Sequence, residues 1–370
     1  MNRLLNLFLL MTLILLFSCQ KSDKTNNKKL KSKQKNQTKI ESQIIKDSLG
    51  RKVSIPLKIK RIACLYSFTG HVVTMLGQGD KIVACISGLK RDKVLLKICP
   101  AIKKAVVPKV NGALNIEELV KAKPDIVFVR ESMFRNQAEK ELFDKFNLPL
   151  IVIEYSSIKE QQQAIKIIGE AIGANERART FNKYYEECLL KTATITNKIP
   201  LNKRVKVYHS VNEPFKTDSA GTLQADWLNL AGAINVSTAQ KSKKEHNDLF
   251  VNIEQILLWN PEVIITNESR AKDFILKDTQ WANIKAVKNK KVYQMPNGIS
   301  RWGHPGSLET PLALLWTLKT LYPEYSQKIN LKRETLIFYK KFFNFSLSNQ
   351  MLDKILQGKG MRTRKGKKIK

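Results

Sequence analysis

Three histidines, three arginines and four aromatic residues fall where the strands of an alternating α/β pattern run out: Tyr66, His71, Arg130, Tyr155, His209, Phe215, Arg270, Arg301, Trp302 and His304. In an open parallel sheet, ligands bind beyond the carboxyl ends of the strands, so this is where a binding site is expected. The residue types suit capture rather than bond making. Arginine reads oxyanions through its planar fork, tyrosine and tryptophan offer broad apolar contact with a polar tip, and histidine ligates metal or donates a hydrogen bond. His209 and His304 are the candidate metal ligands. Arg301, Trp302 and His304 share the segment RWGHPG, whose Gly and Pro content marks a loop. His71 falls on the first turn of a helix, where a structural role competes with a ligand role. No G-x-S-x-G, H-E-x-x-H, phosphate-binding or G-x-G-x-x-G motif occurs, which leaves an enzyme, metal-dependent or otherwise, without a catalytic constellation.

The elements that must position these residues come in two similar halves. NIEELVKAKPDIVFV at 115–129 and NIEQILLWNPEVIIT at 252–266 each read as a short amphipathic helix, a proline–acid turn and a β-branched strand. Strands are expected at 61–66, 81–86, 125–129 and 150–155 in the first half, and at 205–210, 263–266 and 291–295 in the second, with helices between them. That alternation implies mostly parallel sheets. A hairpin is expected around Leu49-Gly50, and helices at 69–76, 310–321 and 331–357. Between the halves, residues 157–197 keep helical apolar spacing without a proline, with Ser157 and Glu160 forming a capping box. As one helix this stretch would be about 60 Å long and would join two bodies. The alternative is two helices broken near Gly173-Ala174-Asn175.

The ends of the chain are of another kind. Residues 1–19 carry Arg3, an apolar run from 4 to 17 and then Ser18-Cys19. The run is too short for a comfortable membrane span of about 20 residues, and its junction resembles the bacterial lipoprotein signal, in which the cysteine is lipidated. Residues 20–46 hold nine lysines against Asp23 and Glu41 and read as a disordered basic tether; residues 359–370 read as a basic tail. The net charge of +33 invites a nucleic-acid reading, but much of it sits in these two ends and no aromatic stacking motif is interleaved with the rest. Cys64, Cys85, Cys99 and Cys188 match no metal ribbon and are expected as buried free thiols, with a Cys85–Cys99 bridge as the alternative.

Taken together, the lipoprotein signal, the tether, the two α/β halves and the long helix resemble the helix-linked periplasmic binding proteins, which serve ABC importers for iron–siderophores, haem and cobalamin. LGQGDKIVA, ADWLNLAGAINV, the two Asn-Ile-Glu stretches and VKNKKVYQMPNGISRWGHPGSLETPLALLWTLKTLYPE carry the resemblance, over about residues 47–357. It implies an α/β fold of two Rossmann-like lobes, 47–157 and 199–358, joined by one long α-helix at 158–198, with a ligand cleft between the lobes. It implies an exported and monomeric binding protein, lipid-anchored to the outer face of the cell membrane or in the periplasm, without a covalent cofactor, that delivers its ligand to a permease dimer with ATPase subunits and has no nucleic-acid partner. An iron chelate is the first expectation for the ligand; cobalamin, haem, a nickel chelate and a molybdate-type oxyanion stay open. Glu117 and Glu254, at the same place in the two repeats, are implied as the acids that meet the permease.

Overall fold

The computed structural model describes residues 41–110, 112–238, 248–359 and 361–362. The signal segment with Cys19, and the tether up to residue 40, lie outside the described residues.

The first lobe opens with a hairpin of β1 (Ser42–Lys46) and β2 (Lys52–Pro56), paired antiparallel. The tether therefore ends earlier than the sequence suggested. Ile45 is buried while its neighbour Ile44 is exposed, the alternation of a strand with one face on a core. Asp47 closes the turn by accepting from the backbone amides of Leu49 and Arg51, both at 3.0 Å, and Gly50 supplies the left-handed φ of +78°.

Each lobe is built on a four-stranded parallel sheet. In the first, β3 (Ile62–Cys64), β4 (Ile82–Cys85), β5 (Ile126–Val129) and β6 (Leu150–Val152) lie in the order β4-β3-β5-β6. In the second, β7 (Lys206–Ser210), β9 (Ile234–Asn235), β11 (Val263–Thr266) and β12 (Val292–Gln294) lie in the order β9-β7-β11-β12, so the two orders are the same. A small antiparallel pair, β8 (Lys216–Asp218) with β10 (Asp248–Phe250), follows β7.

The internal repeat is visible in hydrogen bonds. Asn115 caps α2 (Ile116–Lys121) and Asn252 caps α6 (Ile253–Trp259), each side chain accepting an amide three residues on. Each helix then ends in a left-handed residue before proline: Lys123 at φ 44° and Asn260 at φ 42°. The acid after that proline reaches the start of the adjacent strand. Asp125 accepts from the Lys60 and Arg61 amides, and Glu262 accepts from the Lys206 amide at 3.1 Å.

The stretch between the lobes is two helices, α3 (Ile158–Ala171) and α4 (Asn175–Thr196), parted at Gly173 with φ +68°. They fold back on each other as an antiparallel pair. Asn182 donates to the Gln162 carbonyl, and a Cβ on Gly169 would lie 2.7 Å from that of Ala178. The single 41-residue rod that the spacing allowed is thus corrected: glycine in the left-handed region breaks it. The joining helix is α4, about 33 Å long at its 22 residues. Near its start Arg177 donates to the Met75 carbonyl of the first lobe, and at its end Thr196 packs on Gly232 of the second. The C-terminal stretch is likewise two helices, α9 (Leu331–Phe343) and α10 (Asn349–Leu356), separated at Asn344 with φ 49°.

One continuous apolar core runs from Ile45 through α4 to Met361, and two smaller clusters cover the outer faces of the two sheets. The four cysteines of the body are free and buried. In α4, Phe181 is fully buried and meets Phe342 edge-on at 4.9 Å. Phe181→Ala should cost about 3–5 kcal/mol of stability in urea titration monitored by circular dichroism; a loss below about 1 kcal/mol would show that α4 is not wedged into the core.

Candidate functional site

The RWGHPG segment is held in shape by one buried carboxylate. Glu309 is fully buried just before α8 (Thr310–Leu321). It accepts from the Ser300 amide and hydroxyl, both at 2.9 Å, and from the Tyr339 hydroxyl of α9. Burial raises its pKa, against the pull of these donors. The loop is drawn so tightly over it that a Cβ on Gly298 would lie 2.1 Å from its Oε1. The carbonyl of Gly303, at φ +67°, accepts from Trp227 Nε1 of α5 (Leu223–Leu230) at 3.0 Å.

The first lobe grips this loop directly. Tyr66, at the end of β3, and Tyr155, beyond β6, both donate to the Pro305 carbonyl, and the two hydroxyls lie 2.9 Å apart. His71, on α1 (Ser67–Met75), sets Nδ1 3.3 Å from the Gly306 carbonyl and Nε2 3.3 Å from Asp92. Gln161 donates to the Ser307 carbonyl at 3.0 Å and is itself held by Tyr185 of α4.

Around the same loop lie the charges. Arg301 is paired with Glu268 at 2.6 Å and also donates to Asn212; burial lowers its pKa to about 10, so it stays cationic at neutral pH. His209, fully buried at the end of β7, donates Nδ1–H to Asp218 at 2.6 Å and meets Trp227 edge-on. Its Nε2 is buried with no hydrogen-bond partner among the described residues. His304 accepts the Gly306 amide on Nδ1 at 3.2 Å, which leaves its proton on Nε2 in the neutral ring. Burial, and then the positive fields of Arg301, Arg362, His209 and Lys216, hold this imidazole well below the ordinary histidine range. On the facing side, Asp92 lies 3.0 Å from Arg362 Nε, and Arg91 is pressed down by burial and by the field of Arg362.

The structure therefore brings Tyr66, His71, Tyr155, His209, Arg301 and His304 to one region, with Arg130 at its rim. Arg130 pairs with Glu154 at 2.8 Å and stacks over the Tyr66 ring at 5.0 Å. Two expectations are corrected. Phe215 packs at 5.4 Å on Trp281 in the cluster on the outer face of the second sheet, because the chain turns at Asn212, φ 69°, before reaching it. Trp302 is fully buried in the main core; its neighbours in the loop face the site and it anchors the loop behind. Arg270 is half-buried in the first turn of α7 (Ser269–Lys277). His71 has an acceptor 3.3 Å from each ring nitrogen, Gly306 O and Asp92 Oδ2, and lies between the lobes.

Sequence reasoning missed Arg91, Asp92, Lys216, Asp218 and Arg362. Asp218 could have been found, since it lies two strands' turns beyond His209 on the returning β8. Arg362 could not, because it stands in a lysine-rich tail with nothing to distinguish it. No cluster of three metal-ligating side chains exists among the described residues. Glu117 and Glu254 are both exposed, each the second residue of its helix.

Comparison with known proteins agrees with this architecture. Residues 62–298 match the family described as periplasmic binding protein. The molybdate-binding protein MolA of Haemophilus influenzae is 30% identical over 337 residues, covering 83% of this chain and 92% of the relative. YvrC of Bacillus subtilis, described as an uncharacterized ABC transporter substrate-binding lipoprotein, is 28% identical over 301 residues, 80% and 90% of the two chains. The structure of Haemophilus influenzae MolA bound to molybdate superposes with a TM-score of 0.74 at 27% identity, over 83% of this chain and 99% of that one. A nickel–histidine complex of Helicobacter pylori CeuE gives 0.70 at 23% identity over 85% and 99%, a likeness of fold.

The His304 ring sets a sign for the dependence of stability on pH. A histidine kept neutral when folded takes up its proton only on unfolding, so its contribution is complete above about pH 6.5 and is lost as the pH falls from there toward its depressed folded value. Between about pH 7.5 and about pH 5, wild type should lose more stability than His304→Gln in urea titrations. Parallel losses would mean that His304 is not held neutral.

Proposed function

This chain belongs to the periplasmic binding protein family, and from that premise we propose that it captures a small oxyanion of the molybdate type at the loop between its lobes. It is a substrate-binding protein of an ABC importer, not an enzyme, and it works with a permease and its ATPase. The observation that carries the ligand reading is His304: a neutral imidazole, its Nδ1 already occupied, in the combined positive field of Arg301, Arg362 and Lys216. Planar arginine forks and a neutral N–H donor suit a tetrahedral oxyanion, which needs several donors and compensation of its charge.

The contacts between the lobes support a small ligand over an iron chelate. A siderophore-sized molecule must part Tyr66, Tyr155 and His71 from Pro305 and Gly306, forfeiting these partly buried hydrogen bonds. The same reading includes a lipid anchor at Cys19, with the protein held at the outer face of a membrane.

Isothermal titration with molybdate, tungstate and a ferric siderophore tests the ligand. Molybdate or tungstate should bind, and Arg301→Ala should weaken it by about 1.5–3 kcal/mol, on the order of 10–150-fold, with Arg301→Lys in between. Siderophore binding without oxyanion binding would overturn the reading.

For the partner, we propose that Glu117 and Glu254 meet the permease. Both are exposed at the second position of a capped helix in the repeated unit, and neither forms an ion pair among the described residues. Acids there also favour the helix dipole, by about 0.3–1 kcal/mol. If they dock, Glu117→Arg with Glu254→Arg should leave ligand affinity and melting temperature nearly unchanged and abolish uptake and ATPase stimulation in reconstituted vesicles. Normal transport by the folded double variant would end the docking assignment.

A further inference from the structure

After α10 the chain leaves the second lobe for the first. Gly358, at φ +68°, is still held by the second lobe, its carbonyl accepting from Gln294 at 2.8 Å. Met361 and Arg362 already lie against the first. The Lys93 amide donates to the Met361 carbonyl at 2.9 Å, and Asp92 pairs with Arg362 as an antiparallel bridge. Met361 is buried in the main core. The Arg362 guanidinium, mostly buried, lies along one oxygen of Asp92 at 3.0 Å, while the other oxygen of Asp92 faces His71. His71 in turn faces the Gly306 carbonyl, and the Gly306 amide is bonded to His304. A chain of contacts therefore runs from the tail through Asp92 and His71 to the loop that carries Arg301 and His304.

We propose that the segment ending in Met361 and Arg362 is a strap between the lobes that supplies Arg362 to the anion site as a ligand-binding residue. This rests on the oxyanion reading of that site. Arg362 is the member of the cationic set whose position depends on both lobes, because the tail leaves one lobe and is pinned to the other. Asp92 lies 3.0 Å from its Nε, and Arg91, Arg301 and His304 all feel its charge. Cations gathered this closely repel one another, and a bound dianion relieves that repulsion. Arg362 would thus bind best when the lobes are in the register that the strap allows, which ties ligand affinity to lobe position.

The test uses the full mature chain and its variants Arg362→Ala, Arg362→Lys and a double change distal in the tail, Lys367→Gln with Lys368→Gln. In molybdate titrations Arg362→Ala should bind on the order of 10–100-fold more weakly, Arg362→Lys should recover part of the loss, and the distal double variant should match wild type. Hydrogen exchange without ligand gives a second readout. The Lys93 amide, which donates to Met361, should exchange faster in Arg362→Ala and in a chain ended at Lys359, with both variants still folded by circular dichroism. Unchanged affinity in Arg362→Ala, or an equal loss in the distal variant, overturns the binding role. Unchanged exchange at Lys93 overturns the strap. If wild type binds no oxyanion, the reading of the site fails with the role of Arg362 in it, and the exchange data still decide the strap.

Discussion

A buried carboxylate with no ion-pair partner among the described residues shapes the loop that the rest depends on. Glu309 is fully buried and is satisfied by one backbone amide and two hydroxyls. Burying such a group is costly unless every lone pair finds a donor, so the chain around it has little choice of path. Ser300 and Tyr339 must stand where they do, Gly298 must lack a side chain, and the segment between Ser300 and Glu309 must arch outward. That arch carries everything the site uses from the second lobe's last loop: Arg301 and His304 as polar side chains, and Pro305 and Gly306 as carbonyls for the first lobe to hold. Trp302, buried behind the arch, and Trp227, bonded to Gly303, keep it from collapsing inward.

The basic side chains around the arch follow a second rule: nearly every one near the site is held by an acid. Arg301 has Glu268, Arg362 has Asp92, and His209 has Asp218. Partly buried pairs of this kind add little net stability, since desolvation offsets attraction. Their use is in fixing where the donors point, because a planar fork held on one edge presents its other edge in a set direction. A ligand that arrives meets donors already oriented, and the ordering cost of long side chains has been met during folding.

Much of this was legible in the sequence, and the exceptions have physical causes. The two α/β halves, their strands and the repeated Asn-Ile-Glu units follow from local spacing and turn residues, which act over a few positions. The RWGHPG loop was found because glycine and proline leave it few alternatives. The break at Gly173 competes in the sequence with a single helix, since an apolar stripe continues across it and only the left-handed φ reveals the turn. Phe215 and Trp302 were misassigned for one reason: an aromatic next to a strand end looks the same whether it faces the cleft or the core, and a single turn residue decides. Arg91, Asp92, Lys216 and Arg362 were invisible because their meeting is purely tertiary, and in a chain of +33 an additional basic residue carries no signal.

The joining helix limits how the two halves can respond to a ligand. α4 is rooted in both lobes, by Arg177 at one end and Thr196 at the other, and its apolar face belongs to the same core as both sheets. A close-packed core resists continuous deformation, so wide opening by bending α4 would expose apolar surface at about 25 cal/mol per Å². Small rotations that keep the core intact and rework only the hydrogen bonds at Pro305 and Gly306 cost far less. Those bonds connect to His71 and Asp92 on one side and to His304 on the other. Motion between the lobes is therefore channelled through the residues that surround this loop, without any change in the helix that joins them.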